Sequence, residues 1–153
     1  MQRHVMSSKD AKIFVKKIKE KYGIDLSNSK LEIGKEKKEI WYYIDGILAF
    51  FNEDPIPTLC GILKLKINLP YVIVDEGAVR ALSNGADLFV PGIVEYNCSC
   101  KENDLILAKT KTNLPVAVLK VLMSKEKAIS EKRGKFAENL HHVGDKLWEM
   151  CNG

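Results

Sequence analysis

The sequence predicts an α+β protein made of two small subdomains, the first a helix on an antiparallel sheet and the second rich in strands. Three features carry this prediction: one amphipathic helix near the N-terminus, a run of strand signals between residues 31 and 51, and a strand-helix-strand segment over residues 72–93. With 153 residues and 46% hydrophobic side chains, the chain is long enough for one ordinary domain or two small ones that share a core.

The first regular element is predicted as a helix over residues 9–22, after a loose lead-in at residues 1–8. Its apolar side chains recur at helical spacing, a row of lysines occupies another face, and Gly23 lies where a helix commonly ends. The apolar residues are Ala11, Phe14, Val15, Ile18 and Tyr22, and the lysines are Lys12, Lys16 and Lys19. The lysine row is interpreted either as a solvated face or as a contact surface for RNA phosphates.

Strand signals follow this helix. Residues 31–33 and 40–44 flank a polar turn, and Asp45-Gly46 is a tight-turn signal before a returning strand at residues 47–51. We therefore expect a small antiparallel sheet covered by the first helix. The second strand contains Trp41, Tyr42 and Tyr43. Such aromatic residues either pack in the core or stack on bases.

A junction between two subdomains is predicted at residues 52–57, where two prolines lie beside acidic residues. Thr58 is the expected N-cap of a short helix that ends near Leu63. Because this connection is short and apolar, we expect two tightly packed domains, residues 1–68 and residues 69–153.

The segment over residues 72–93 organises the second domain. Three β-branched residues lead into Asp75, whose carboxylate is an N-cap for a helix that ends near Ser83. Asn84-Gly85 supplies the left-handed stop. A second strand then runs into Pro91-Gly92, which turns the chain.

The remaining elements are predicted from weaker patterns. Residues 95–103 are polar and are expected to form a loop, and Ser124 is the N-cap of a short helix. The expected strands are residues 105–109, 116–123 and 136–143, and a final helical turn covers residues 145–150. Alternation is weak in these strands, as in a closed barrel.

Charge is distributed unevenly along the chain. Residues 1–69 contain 13 Lys or Arg against 9 Asp or Glu, whereas residues 70–153 contain 11 of each. The surplus of positive charge therefore lies entirely in the N-terminal half. Arg80 and Arg133, two of the three arginines, lie in the C-terminal half and carry the planar group suited to phosphate or guanine.

The cysteines and histidines indicate neither a disulfide framework nor a metal site. Cys60, Cys98, Cys100 and Cys151 are expected to be free thiols, and a Cys-x-Cys pair lacks the usual zinc spacing. In an alternating strand His141 and His142 face opposite sides, so we expect one in the core and the other exposed. We expect no metal and no cofactor.

Neither a membrane location nor catalysis is expected. The longest apolar run, residues 44–51, is far shorter than a membrane span, and no signal-peptide core precedes residue 12, so we expect a cytoplasmic protein. The sequence contains no P-loop, no nucleophile elbow and no metalloprotease helix. We therefore expect that the protein is not an enzyme.

Residues 72–93, 115–118 and 139–148 resemble the PUA domain, an RNA-binding pseudobarrel, and this resemblance covers residues 69 to 150. Within that family the pattern is most similar to the malignant T-cell amplified sequence proteins and the N-terminal part of ligatin, including archaeal relatives. Pro57-Thr58-Leu59 and residues 144–148 favour this subgroup over PUA domains that accompany RNA-modifying enzymes. The subgroup is implicated in initiation or reinitiation of translation on the small ribosomal subunit.

The resemblance also implies an RNA surface, formed by the loop after the first PUA helix and by the facing strand near the C-terminus. It places RNA-binding residues at Arg80, Asn84, Gly85, Ala86, Leu88, Pro91, Gly92, Lys120, Arg133, Gly134 and Lys135. The glycines either allow close approach of backbone to phosphate or serve turn geometry alone. Lys120 and Lys135 are either RNA contacts or ordinary strand surface, and Asp87 and Glu95 are awkward neighbours for an anion.

Two functions remain open from sequence. The first is a non-catalytic RNA-binding factor of translation that binds structured RNA, either tRNA or small-subunit rRNA, and engages the small ribosomal subunit. The second is a protein-interaction adaptor that docks an SUI-type initiation factor, with RNA contact incidental. The balanced charge of the C-terminal half supports the second to a degree.

Overall fold

The computed structural model describes residues 2–152, which fold as two compact units. The first unit contains residues up to 68 together with those from 150 onward, and the second contains residues 69–149. That residues 1–68 and 69–153 are two tightly packed domains stays a prediction.

The N-terminal unit is a helix on a five-stranded antiparallel sheet with strand order β1-β2-β3-β4-β5. Its elements are β1 (Arg3–Val5), α1 (Ser8–Tyr22), β2 (Leu31–Glu36), β3 (Glu39–Ile44), β4 (Ile47–Phe51), β5 (Ile56–Pro57) and α2 (Leu59–Leu65). Helix α1 packs on the sheet through Phe14, whose ring stacks 4.6 Å from that of Tyr42 and lies 5.8 Å from that of Phe50, centroid to centroid. Helix and antiparallel sheet are as predicted.

Polar caps fix both helices of this unit. The Ser7 hydroxyl accepts the N–H of Asp10, and Gly23 ends α1 at a φ of 73°. Thr58 is fully buried, where its hydroxyl accepts the N–H of Gly61 and donates to the carbonyl of Leu48. Thr58 thus joins the start of α2 to β4.

The C-terminal unit is built on a six-stranded mixed sheet with strand order β7-β11-β10-β9-β6-β8, in which β6 and β9 are parallel. Its elements are β6 (Tyr71–Val74), α3 (Glu76–Ser83), β7 (Leu88–Phe89), a 3₁₀ turn (Val90–Gly92), β8 (Ile93–Asn97), β9 (Leu105–Lys109), β10 (Pro115–Val121), α4 (Lys125–Glu131) and β11 (Lys135–His142), and the chain continues into α5 (Lys146–Asn152). The sheet curls around an apolar core that contains Leu82, Leu88 and Phe136. The α+β class and the PUA pseudobarrel are confirmed.

Two predictions of irregular structure were wrong. Arg3–Val5, predicted as a loose lead-in, pairs with β2 as an edge strand, with His4 opposite Ile33. Residues 95–97, predicted as loop, belong to β8 and pair with β6. In both cases pairing with a distant strand orders residues whose local pattern is polar or short.

The prediction of free thiols was also wrong. The structure pairs Cys60 with Cys151, whose Cα atoms lie 6.0 Å apart, and Cys98 with Cys100, whose Cα atoms lie 5.0 Å apart. Cys60 and Cys151 lie 91 positions apart in the sequence, so only the tertiary fold brings them together.

Residues 2–152 contain neither a membrane-spanning helix nor a cluster of metal-ligating side chains. No helix within residues 2–152 is long and apolar enough to cross a membrane. Over the same residues, no group of three or more His, Cys, Asp or Glu side chains is arranged to hold a metal ion.

Candidate RNA-binding surface

A loop at residues 84–87 connects α3 to β7, and local chemistry determines its path. The Asp75 carboxylate accepts the N–H of Ala78 at 2.8 Å and starts α3 as predicted. Gly85, at a φ of +91°, then ends the helix in a conformation that side-chain-bearing residues rarely adopt. A Cβ at Gly85 would lie 3.5 Å from Nε2 of His142, so the loop backbone lies against the end of β11.

Asn139 fixes this loop to β11. Its Nδ2 donates to the carbonyl oxygens of Leu82 and Ala86 at 3.1 and 2.9 Å, and its backbone N–H donates to Oδ1 of Asp87 at 2.8 Å. One residue of the strand therefore holds two points of the loop and the end of α3 that precedes it. Asn139 was not predicted as a site residue, because its role depends on partners more than 50 positions away.

Asp87 joins the loop to the basic turn at residues 133–135. Its Oδ2 lies 3.0 Å from Nζ of Lys135. The backbone N–H of Asn139, and then the Lys135 ammonium, hold the pKa of the Asp87 carboxyl below its usual range. Asp87, which looked awkward for anion binding, thus neutralises much of the charge of Lys135 and positions its side chain.

The basic turn lies directly beside β7 and the 3₁₀ turn. The N–H of Val90 donates to the carbonyl of Gly134 at 2.9 Å, and Lys135 is paired with Phe89 in the β7–β11 ladder. Gly134 has a φ of +103°, and a Cβ there would lie 3.0 Å from Cε of Met123. The structure therefore brings together the loop, Pro91 and the turn at residues 133–135.

Phe89 is the second residue that the sequence analysis missed. It is 50% exposed, and Nζ of Lys135 lies 6.0 Å from its ring centroid. An exposed aromatic ring beside cations suits the stacking of an unpaired base. The sequence signal that could have identified Phe89 is strand alternation, because in β7 Leu88 is buried and the next residue, Phe89, is exposed.

Two predicted site residues serve packing. Leu88 is 1% exposed and belongs to the core, so it offers only backbone atoms to a ligand. A Cβ at Gly92 would lie 2.8 Å from Cβ of Ala78, which explains this glycine by its contact with α3. Asn84 donates from Nδ2 to the carbonyl of Arg80 and caps the exposed end of the same helix.

Arg80 and Lys120 do not line this loop. Arg80 is exposed on α3 and lines a cleft of about 480 Å³ with Thr110 and Lys111. Lys120 lies in β10, opposite Glu138 of β11 and Leu105 of β9. Glu138 is therefore its cross-strand neighbour and reduces its value as a phosphate contact.

The end of β11 contains a buried histidine-carboxylate pair. Nδ1 of His141 lies 2.9 Å from Oδ2 of Asp145, and His141 is fully buried, as predicted for one of the two histidines. Burial lowers the pKa of His141, although the contact with Asp145 acts in the opposite direction. Burial acts to raise the pKa of Asp145, but hydrogen bonds from Trp148, His142 and His141 lower it overall.

The comparisons with known proteins agree with this architecture. Residues 70–143 match the sequence profile of the PUA domain, and residues 2–65 match a profile described as a domain of unknown function, DUF1947. A solved PUA domain protein from Thermoplasma acidophilum is 34% identical and superimposes with a TM-score of 0.82 over 98% of this chain and 99% of that one. The fold and these matches thus define a PUA-domain protein with an added N-terminal domain.

Relatives specify the family further. An uncharacterized protein of Methanocaldococcus jannaschii is 34% identical over 97% of this chain and 96% of its own length. Translation machinery-associated protein 20 of Eremothecium gossypii is 33% identical over 75% of this chain and 68% of its own length. Malignant T-cell-amplified sequence 1 of Rattus norvegicus is 34% identical over 70% of this chain and 63% of its own length. The chain belongs to the PUA-domain family that includes translation machinery-associated protein 20, and this membership supports an RNA-binding, translation-related role.

Proposed function

We propose that this protein is a non-catalytic, cytoplasmic RNA-binding factor of the translation machinery. In this proposal it binds structured RNA, either the tRNA acceptor end or small-subunit rRNA, and acts on the small ribosomal subunit in initiation or reinitiation. The observation that carries the proposal is the loop at residues 84–87, which Asn139 fixes beside the basic turn and the exposed Phe89.

Each part of this surface has a chemical task. Gly85 leaves the loop open to close approach by a sugar-phosphate backbone. Arg133 is exposed in the basic turn and supplies a planar cation for a phosphate. Phe89 offers a stacking face to an unpaired base, as at a single-stranded RNA end. Lys135 contributes less charge, because Asp87 neutralises it.

Protein docking is the second candidate function, and the charge balance favours it. The C-terminal half has 11 basic and 11 acidic residues, and its cation Lys135 is already paired with Asp87. A surface with so little net charge attracts nucleic acid weakly at long range. An adaptor that docks an SUI-type initiation factor through the PUA fold would not need such attraction.

The proposed function is tested by binding of the purified protein to isolated small ribosomal subunits, total tRNA and a control DNA duplex at several salt concentrations. The diagnostic variant is Gly85→Glu, which adds a carboxylate to the loop. Gly46→Glu is the matched control, because Gly46 has a φ of +85° and open space around it in the N-terminal unit. Both substitutions introduce the same charge and similar backbone strain.

We expect saturable, salt-sensitive binding to subunits or tRNA that Gly85→Glu abolishes and Gly46→Glu retains. Equal affinity for the DNA duplex, or equal loss of binding in both variants, would contradict the proposal. The adaptor function would be established instead if the unsubstituted protein binds no RNA, while both it and the Gly85→Glu variant bind an SUI-type initiation factor.

A further inference from the structure

We propose that a groove in the N-terminal unit binds an acidic segment of a partner protein that carries aliphatic side chains. The groove has a volume of about 890 Å³ and lies between α1, the end of β1 and the segment that leads into β2. It is separate from every residue placed on the RNA surface, so the proposal goes beyond the function proposed above.

The floor of the groove is aliphatic. Val5, Met6, Ala11, Val15 and Leu31 line it. Val5 is 69% exposed, although a valine of a strand ordinarily packs against a neighbour. Because these side chains lie together, they form an apolar surface that a partner's leucine, isoleucine or valine would cover favourably.

The rim of the groove is basic. Lys12, Lys16 and Lys19 follow one another along α1, and Lys30 stands on the opposite side. Two carboxylates, Glu20 and Asp25, share the rim. The hydrogen bonds from Ser27, and then Lys19, lower the pKa of the Asp25 carboxyl. Asp25 therefore stays anionic and takes up part of the charge of Lys19.

No neighbouring carboxylate among residues 2–152 offsets the charges of Lys12 and Lys16. Among residues 2–152 neither side chain has an ion-pair or hydrogen-bond partner, and both are exposed. Nζ of Lys30 lies 3.8 Å from Oε1 of the buried Glu32, which takes up part of its charge, so the free charge of the rim lies on Lys12 and Lys16. Charge complementarity therefore selects an acidic partner.

An acidic protein segment fits this groove better than RNA or a second copy of the chain does. Specific binding of single-stranded RNA relies on aromatic side chains for base stacking, and none of the described lining residues is aromatic. A symmetric dimer through this groove would bring together two copies of the same net-positive surface, which repel each other. Of these three occupants, only a segment with acidic and aliphatic side chains complements both the basic rim and the aliphatic floor of the groove.

The test uses the full chain, isotopically labelled, and a synthetic peptide built from leucine and glutamate. Comparison ligands are the same peptide with lysine in place of glutamate, and oligouridylate. The diagnostic variant is Lys12→Glu with Lys16→Glu. Its matched control is Lys9→Glu with Lys17→Glu, which makes the same change of net charge on the same helix at residues that do not line the groove.

The acidic peptide is expected to shift the amide signals of Val5, Met6 and Val15. The Lys12→Glu, Lys16→Glu protein should bind it about tenfold more weakly, because two favourable charge contacts become repulsive. The control pair should bind it with unchanged affinity. Equal weakening in both pairs would show non-specific charge attraction and overturn the proposal. Oligouridylate that shifts the same amides when the acidic peptide does not would overturn it in favour of RNA.

Failure here is distinguishable from failure of the proposed function. The RNA assay depends on Gly85 in the C-terminal unit, whereas the peptide assay depends on Lys12 and Lys16 in α1. The RNA assay can therefore fail while the peptide assay succeeds, and the reverse.

Discussion

In the N-terminal unit, Lys12 and Lys16 stand exposed on a helix without carboxylate partners among the described residues, whereas in the C-terminal unit Lys135 lies 3.0 Å from Asp87. The first arrangement leaves charge available to a partner, and the second uses charge to fix a loop. The unit with the larger positive surplus is thus not the unit that carries the proposed RNA surface. Net charge identifies a surface that attracts any oppositely charged partner, whereas a rigid backbone shape identifies a surface that recognises one particular ligand.

The largest expected difference between the units concerns two helical glycines. A Cβ at Gly61 in α2 would overlap the carbonyl oxygen of Ala49 and lie 2.9 Å from its Cα. A Cβ at Gly77 in α3 would approach only Oδ1 of Asp75, at 3.4 Å. Gly61→Ala should therefore lower the free energy of unfolding by about 3 kcal/mol, because the backbone of β4 must move. Gly77→Ala should raise it by about 0.5 kcal/mol, since alanine favours the helix.

Urea unfolding followed by circular dichroism measures both changes, with the unsubstituted protein as reference. A Gly61→Ala protein as stable as the parent would show that α2 and β4 are not in close contact. Unchanged stability would also mean that no close contact requires a glycine at position 61.

The next largest effect is expected at Asn139. Asn139→Ala removes the Nδ2 donor from the carbonyl groups of Leu82 and Ala86, which should cost about 1–2 kcal/mol of stability. RNA affinity should fall as well, because the loop at residues 84–87 loses its side-chain contact with β11 at Ala86 and keeps only the contacts of Asp87 with the backbone of residue 139 and with Lys135. Asn97→Ala, at an exposed position of β8, is the control and should change stability by less than about 0.5 kcal/mol. Unchanged stability and unchanged RNA binding of Asn139→Ala would mean that the loop does not depend on this residue.

A smaller effect is expected from pH. His141 titrates at 6.5 in its unperturbed state, and burial lowers its pKa in the folded protein. As the pH falls below 6.5 the unfolded chain takes up the proton first, so stability should decrease as pH falls through the folded pKa. Asp145, whose folded pKa is also lowered from 3.8, should add a further loss below that value.

The measurement is the urea midpoint over a pH series, with two variants. His141→Gln should flatten the decrease between about pH 7 and 5, where a histidine titrates, and His142→Gln should leave it in place. A midpoint that rises as the pH falls through this range would contradict the assigned direction of the His141 pKa shift.

Local chemistry made much of the fold predictable. Thr58, Asp75 and Ser124 each cap a helix through a side chain that accepts an N–H three residues ahead. Such contacts are visible in a short stretch of sequence, because both partners lie within one turn. The positive φ at Gly85 was likewise predictable from the end of an amphipathic helix.

Long-range contacts account for what the sequence did not reveal. The strand at Arg3–Val5 exists because β2 pairs with it, and the Cys60–Cys151 bond exists because the fold brings together two residues that are 91 positions apart. Asn139 and Phe89 belong to the candidate site for the same reason, since each acquires its role from a neighbour across the β7–β11 region. The family resemblance predicted the loop and the basic turn as RNA-binding but could not show that Leu88 is buried.

The most direct test of the RNA surface is the salt dependence of binding to small ribosomal subunits and tRNA, measured for Arg133→Glu and Lys101→Glu. Both residues are exposed cations of the C-terminal unit, but only Arg133 lies in the basic turn beside β7. If Arg133 contacts a phosphate, its replacement should weaken binding and reduce the slope of log affinity against log salt by about 0.7–0.9. Lys101→Glu should leave that slope unchanged. Identical slopes for the two variants would contradict the assignment of RNA binding to this surface.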